Sequence, residues 1–235
     1  MPESMLQESL PFPSPRTRGG ARPGAGRPRL PGKRSPAHVK RPAHSKHHPV
    51  HVVLRTRADV PRLRTQPIFR VVRRALRELR APMPFRVAHI SIQHNHLHLL
   101  VEAKDARALS RGMQLLGAAL ARGINAQLGR TGHVFAFRYH ATPITSPRQT
   151  RNTLAYVLNN WRRHREDERS ARARAELLDP YSSGAALDAW RGRTAVARPP
   201  DYDPLPVSPP QTWLLSVGWR RHGDLDPRRV PGRLH

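Results

Sequence analysis

QHNHLHLLVEA (Gln93–Ala103) sets three histidines at alternate positions and runs straight into an apolar segment. Successive side chains of a strand point to opposite faces. Leu97, Leu99 and Val101 therefore share one face, read as core, and His96 and His98 share the other. The preceding FRVAHISIQ is rich in β-branched residues and reads as a second strand. Asn95, a residue type suited to tight turns, falls between the two. The stretch is thus the second half of a β-hairpin.

Working outward, HPVHVVLRTR alternates Val50, Val52 and Leu54 with His51, Val53 and Arg55, the pattern of a strand with a buried face. Ile68, Val72, Leu76 and Leu79 recur at helical spacing behind Pro67. From Asp105, a cap-type residue, Leu109, Met113, Leu116, Leu120, Ile124 and Leu128 mark a long amphipathic helix that Gly129 stops. GHVFAFRYHATPIT reads as a fourth strand. The segment beginning TSPRQ opens a last helix, with Ser146 as N-cap, Pro147 at the first position and Gln149 closing a capping box. The order β-α-β-β-α-β-α predicts an α+β fold of the ferredoxin-like, split-βαβ kind, a mostly antiparallel sheet with helices packed on it.

Three regions result. Residues 1–45 are rich in Pro, Gly and Arg and read as a disordered basic tail. Within it GAGRPR, with Arg27, has the flat basic character of an arm that lies in a minor groove. The plainer reading, a solvated basic tail, stands beside it. Residues 46–168 hold the folded domain. Residues 169–235 form a Pro-rich, mostly irregular extension in which only QTWLLSVGWRRHG, with Trp213, Leu214, Leu215 and Trp219, is expected to dock.

The charge balance narrows the partners. Forty-two Lys and Arg against 16 acidic residues leave +26, an excess that calls for a polyanion. No stretch approaches the ~20 apolar residues of a membrane span, and the N-terminus lacks the apolar core of a signal peptide. With no cysteine there is neither a disulfide framework nor a thiolate metal site. A cytoplasmic protein, associated with the nucleoid through DNA, is the expectation.

Two constellations carry chemistry. His96-x-His98 on one strand face is an arrangement that a divalent cation can bridge. Against it stand two surface histidines, two buried and hydrogen-bonded ones, and a three-histidine zinc site that adds His94. In AYVLNN, Leu154, Val157, Leu158 and Trp161 form an apolar stripe. Tyr156 lies off that stripe and Asn160 one turn further along its side. An exposed tyrosine and a functional one both fit. A phenol with a pKa near 10 attacks a phosphodiester only if a cation polarises the phosphate. Asn160 would give that cation a neutral oxygen, and two imidazoles plus an amide leave positions open in the manner of Mg²⁺ or Mn²⁺.

NHLHLLVEA resembles the His-hydrophobe-His motif of the single-tyrosine HUH transposases, among them those associated with repetitive extragenic palindromes. YVLNN, about 60 residues on, resembles their nucleophile helix, and GHVFAFRYH the segment ahead of it; the likeness spans roughly residues 47–166. Gln-His-Asn precedes the motif where the family more often has Met-Pro-Asn, and Trp161 stands in place of a proline. The resemblance implies that His96, His98 and Asn160 bind Mg²⁺ or Mn²⁺. It also implies that Tyr156 cleaves single-stranded DNA beside a hairpin, forming a 5′-phosphotyrosine link and freeing a 3′-hydroxyl. Arg162, Arg163 and Arg165 directly follow the tyrosine and, with Arg138 and the tail's Arg27, are the candidate DNA contacts. Monomer and homodimer are both compatible with it. Two other readings compete: a non-catalytic, domesticated nucleic-acid-binding protein, and a zinc hydrolase built on His94, His96 and His98.

Overall fold

The computed structural model describes residues 43–79, 84–192 and 203–232. The expectation for the N-terminal tail, Arg27 and GAGRPR included, falls outside the described residues. The described residues belong to one compact unit.

Four strands, β1 (Val50–Arg55), β2 (Phe85–Ile92), β3 (His96–Ala103) and β4 (His140–Pro143), make one sheet in the order β2-β3-β1-β4. Each neighbouring pair is antiparallel. β1 and β2 therefore run parallel with β3 inserted between them, which is the split βαβ arrangement the element order predicts. Helix α1 (Gln66–Glu78) links β1 to β2, and α2 (Ala106–Gln127) links β3 to β4. Their apolar stripes pack together over one face of the sheet, on Val50, Val52, Leu54, Leu97, Leu99 and Val101. The close approach of α2 to β2 depends on Gly112, where a Cβ would lie 2.1 Å from Phe85 Cγ.

The other face carries the site. Helix α3 (Pro147–Arg163) lies there with Leu154, Val157 and Leu158 against Ala88 and Leu100 of the sheet. Ser146 caps it, accepting from Gln149 N–H at 3.2 Å. The Gln149 side chain closes the turn one residue earlier than expected, accepting from Thr145 N–H at 2.8 Å rather than from Ser146. Beyond the short helix α4 (Ala171–Ala175), the C-terminal extension docks behind α3 through α5 (Trp213–Ser216) and the following 3₁₀ turn, with Leu215 and Trp219 buried in the same cluster and Trp213 half exposed. Fully burying two apolar side chains of this size contributes on the order of 3–6 kcal/mol. Glu102 of β3 anchors the start of α5, accepting from Gln211 N–H, Thr212 N–H and the Thr212 hydroxyl.

One predicted strand differs. GHVFAFRYHATPIT was expected to be continuous, but only His140–Pro143 is strand. Val53 pairs with His140, whereas Thr56 bridges Phe135, two residues out of step with that register. The surplus is extruded at Phe137 and Arg138, both exposed on the edge of the sheet. A bulge of this kind bends an edge strand and ends its pairing. Among the described residues no helix is long and apolar enough to cross a membrane.

Candidate active site

The register decides which side chains meet. His98 is directly opposite Val53 of β1 and Ser91 of β2, and His140 is opposite Val53 on its other side. His51, two residues along β1 from Val53, shares that face with Thr142. The face under α3 thus carries His51, His96, His98 and His140.

Helix α3 brings its own row. Tyr156, Asn160 and His164 are spaced by four and stack along one side of the helix axis. The Tyr156 ring meets His98 edge-on at 5.2 Å between centroids and His51 at 6.2 Å, and His164 meets His96 at 6.0 Å. Asn160 occupies the helical turn between these two ring pairs. Its side chain is wholly buried, yet neither amide atom has a hydrogen-bond partner among the described residues. Leaving such a group unsatisfied costs about 1–3 kcal/mol, so packing alone does not favour an amide here.

The two imidazoles of the motif face one another, with Nε2 of His96 3.0 Å from Nε2 of His98. Each ring is held from behind. Nδ1 of His96 donates to Asn95 Oδ1 at 2.9 Å, and Nδ1 of His98 lies 3.0 Å from His51 Nε2. Burial, aided by neighbouring positive charge, lowers the pKa of His96 and of His51 to about 4 and holds His98 well below the ordinary imidazole value. Neutral imidazole is the ligating form. Two neutral imidazoles and an unpartnered amide oxygen fit a divalent cation that keeps open positions for phosphate oxygens and water. His94 is exposed in the hairpin turn, and among the described residues no group of three or more His, Cys, Asp or Glu could hold a metal ion. The three-histidine zinc site therefore lacks its third ligand.

A groove of about 540 Å³ opens beside Tyr156, lined by His51, Val53, His98, His140, Thr142 and Arg163 among others. Of the candidate DNA contacts, Arg163 lines this groove and donates to Pro231 O at 3.3 Å. Arg162 points elsewhere. Its Nε and both terminal nitrogens donate to Pro227 O, Asp167 Oδ2 and Leu177 O, at 2.8, 2.8 and 3.0 Å. Arg165, in a left-handed conformation at the end of α3, is exposed and pairs with Glu168 at 3.4 Å. Arg138 sits on the exposed bulge ahead of β4. His51, His140 and His164 escape a reading of single segments. The alternation of β1 did set His51 opposite Val52, but only the strand order puts it beside His98.

Comparison with known proteins follows this geometry. A family model described as transposase IS200 like matches residues 44–160. Among solved structures, a REP-associated tyrosine transposase bound to a REP hairpin superposes with a TM-score of 0.50 at 14% identity, over 74% of this chain and 98% of that one. A proposed transposase from Deinococcus radiodurans aligns at 15% identity over 59% of this chain and 99% of that one, with a TM-score of 0.36. No curated protein matches the chain. The matched segment runs from just before β1 to Asn160 and so includes the histidine strand and the tyrosine helix; the chain belongs to the IS200-like, single-tyrosine transposase superfamily.

Proposed function

We propose that this transposase nicks and rejoins single-stranded DNA with Tyr156 as nucleophile and a divalent cation, Mg²⁺ or Mn²⁺, held by His96, His98 and Asn160. The observation that carries the reading is the row on α3: a phenol packed on His98, followed one turn later by a buried amide with no partner among the described residues. When bound, the cation would polarise the scissile phosphate and neutralise charge that develops on it.

The chain's own residues do the rest. The His98 and His51 rings hold the Tyr156 ring edge-on at the groove wall. The phenol oxygen forms a bond to phosphorus, the bond from phosphorus to the 3′ oxygen breaks, and the strand ends in a free 3′-hydroxyl. The phenol proton passes to solvent in the open groove, and the departing oxygen takes one up. A second 3′-hydroxyl attacking the phosphotyrosine reverses the step and needs no external energy. Arg163, at the groove wall, and the exposed Arg138 and Arg165 supply cations for the strand's phosphates.

The partner inferred is single-stranded DNA carrying a hairpin. The net charge of +26 supports a nucleic acid, and the structural neighbour of the same fold holds a REP hairpin. Such a partner places the work at the nucleoid.

End-labelled hairpin oligonucleotides with Mg²⁺ or Mn²⁺ test the proposal. A 3′ label is expected to stay on the protein through SDS, a 5′ label to be released, and Tyr156→Phe to abolish both events. Cleavage and adduct intact in that variant would show that another group is the nucleophile. Salt-sensitive binding without cleavage under any metal would instead favour a non-catalytic DNA-binding role.

A further inference from the structure

Behind the two motif histidines stands a third imidazole whose contact with His98 can run in either direction. Three contacts form a continuous relay: His51 Nε2 to His98 Nδ1 at 3.0 Å, His98 Nε2 to His96 Nε2 at 3.0 Å, and His96 Nδ1 to Asn95 Oδ1 at 2.9 Å. An amide oxygen only accepts. His96 therefore carries its proton on Nδ1 and turns the lone pair of Nε2 towards His98. The contact between the two Nε2 atoms is then a hydrogen bond only if His98 is protonated at Nε2. In that case His98 Nδ1 accepts, and His51 must donate from Nε2.

A cation between the same two nitrogens demands the opposite. Both Nε2 lone pairs must face it, so the proton of His98 has to sit on Nδ1. Asn95 already holds His96 in the tautomer required. Among the described residues His98 has no carboxylate or carbonyl behind it, which are the usual partners of a ligating histidine. It has His51, which is buried, shares the sheet face and can accept as readily as donate.

We propose that His51 is a positioning residue that exchanges tautomer together with His98 when the cation binds, turning from donor to acceptor. The proton on His51 Nε2 crosses the hydrogen bond to His98 Nδ1. The proton on His98 Nε2 leaves to solvent, and one enters at His51 Nδ1 from the groove that His51 lines. Proton count and charge are unchanged. The motif histidines thus have a self-satisfied arrangement and a ligating one that differ by proton position alone. This inference deepens the metal-dependent reading above and rests on it.

The test uses the full chain with ¹⁵N-labelled histidine. Titration with Mg²⁺ is expected to move the His98 proton from Nε2 to Nδ1, read from the nitrogen shifts, and to leave His96 protonated on Nδ1. Mn²⁺ affinity, measured by electron paramagnetic resonance, is expected to fall about 10–100-fold in His51→Leu. It should return to within a few-fold of wild type in His51→Gln, whose amide oxygen can accept. The inference is overturned if His98 keeps its proton on Nε2 at saturating Mg²⁺, or if His51→Leu binds Mn²⁺ as tightly as wild type. Mn²⁺ binding that survives His98→Ala would remove the cation site itself and the relay argument with it. That result is distinct from a site that binds the cation but ignores His51.

Discussion

Tyr156 and His98 of one and the same chain lie edge to face, 5.2 Å between ring centroids and with planes at 80°. The helix that carries the phenol is packed by its own apolar stripe on the sheet that carries the imidazole, with Leu154 and Leu158 buried in one cluster with Leu100. On the proposed reading, the nucleophile is therefore delivered within the subunit. Mixing Tyr156→Phe with His98→Ala is expected to leave adduct formation absent, because neither variant has a complete site. An assay of the mixture at concentrations well above any dimerisation constant checks this. Recovered activity would mean that a partner subunit supplies the phenol.

Asn160 separates function from stability in an unusual direction. Its amide is buried without a hydrogen-bond partner among the described residues, so the folded protein bears a desolvation penalty at this position. Asn160→Leu, close in volume, is expected to unfold at equal or higher denaturant concentration, a gain of up to ~1 kcal/mol. Over the same change, adduct formation should fall at least 100-fold. Urea titration and the labelled-oligonucleotide assay read the two effects on one preparation. A destabilised variant of normal activity would mean that the amide serves packing alone.

Arg162 and Arg163 are neighbours in sequence with different work. All three guanidinium nitrogens of Arg162 are engaged by the segments that wrap α3, and its guanidinium lies over the Trp161 ring at 4.7 Å. Arg162→Ala is expected to cost about 2–4 kcal/mol, since it strands partly buried acceptors and an Asp167 charge. Arg163→Ala should change stability by less than ~1 kcal/mol and weaken DNA binding with a salt slope lower by about one. Thermal melts and binding isotherms at several salt concentrations distinguish them. A reversal of the pattern would move the DNA contact from the groove to the far side of α3.

The sheet, its helices and the histidine strand were legible because period-two and period-3.6 patterns are local. Leu97, Leu99 and Val101 alternate with His96 and His98, and no other chain segment is needed to see it. Tyr156 and Asn160 were legible for the same reason, being one turn apart on a helix whose apolar stripe excludes both. What lay hidden depends on register between distant segments. His51 meets His98 only because β3 inserts between β1 and β2, and two of the three bonds that tie down Arg162 form because residues 177 and 227 return to it. The bulge at Phe137 was invisible for a related reason. GHVFAFRYH has strand composition throughout, and the two surplus residues show only when both ends pair with β1.

His89 offers a clean measure of pH dependence away from the groove. It is buried on β2 beside Ser183, whose hydroxyl lies 3.3 Å from Nδ1, and burial alone lowers its pKa from 6.5 to about 4. Above pH 6.5 the imidazole is neutral in folded and unfolded chains alike, and the stability is fully present. As pH falls below 6.5 the unfolded chain takes up a proton that the folded one refuses, so stability is lost progressively down to about pH 4. Over that window the loss from this group is on the order of 3 kcal/mol. His51 and His96 shift in the same direction and steepen the wild-type curve. In His89→Leu the decline in unfolding free energy between pH 7 and pH 4.5 is expected to be shallower than in wild type by about 2 kcal/mol. Urea unfolding at half-unit pH steps checks it. Parallel curves for the two proteins would mean that His89 titrates in the folded chain much as it does in the unfolded one.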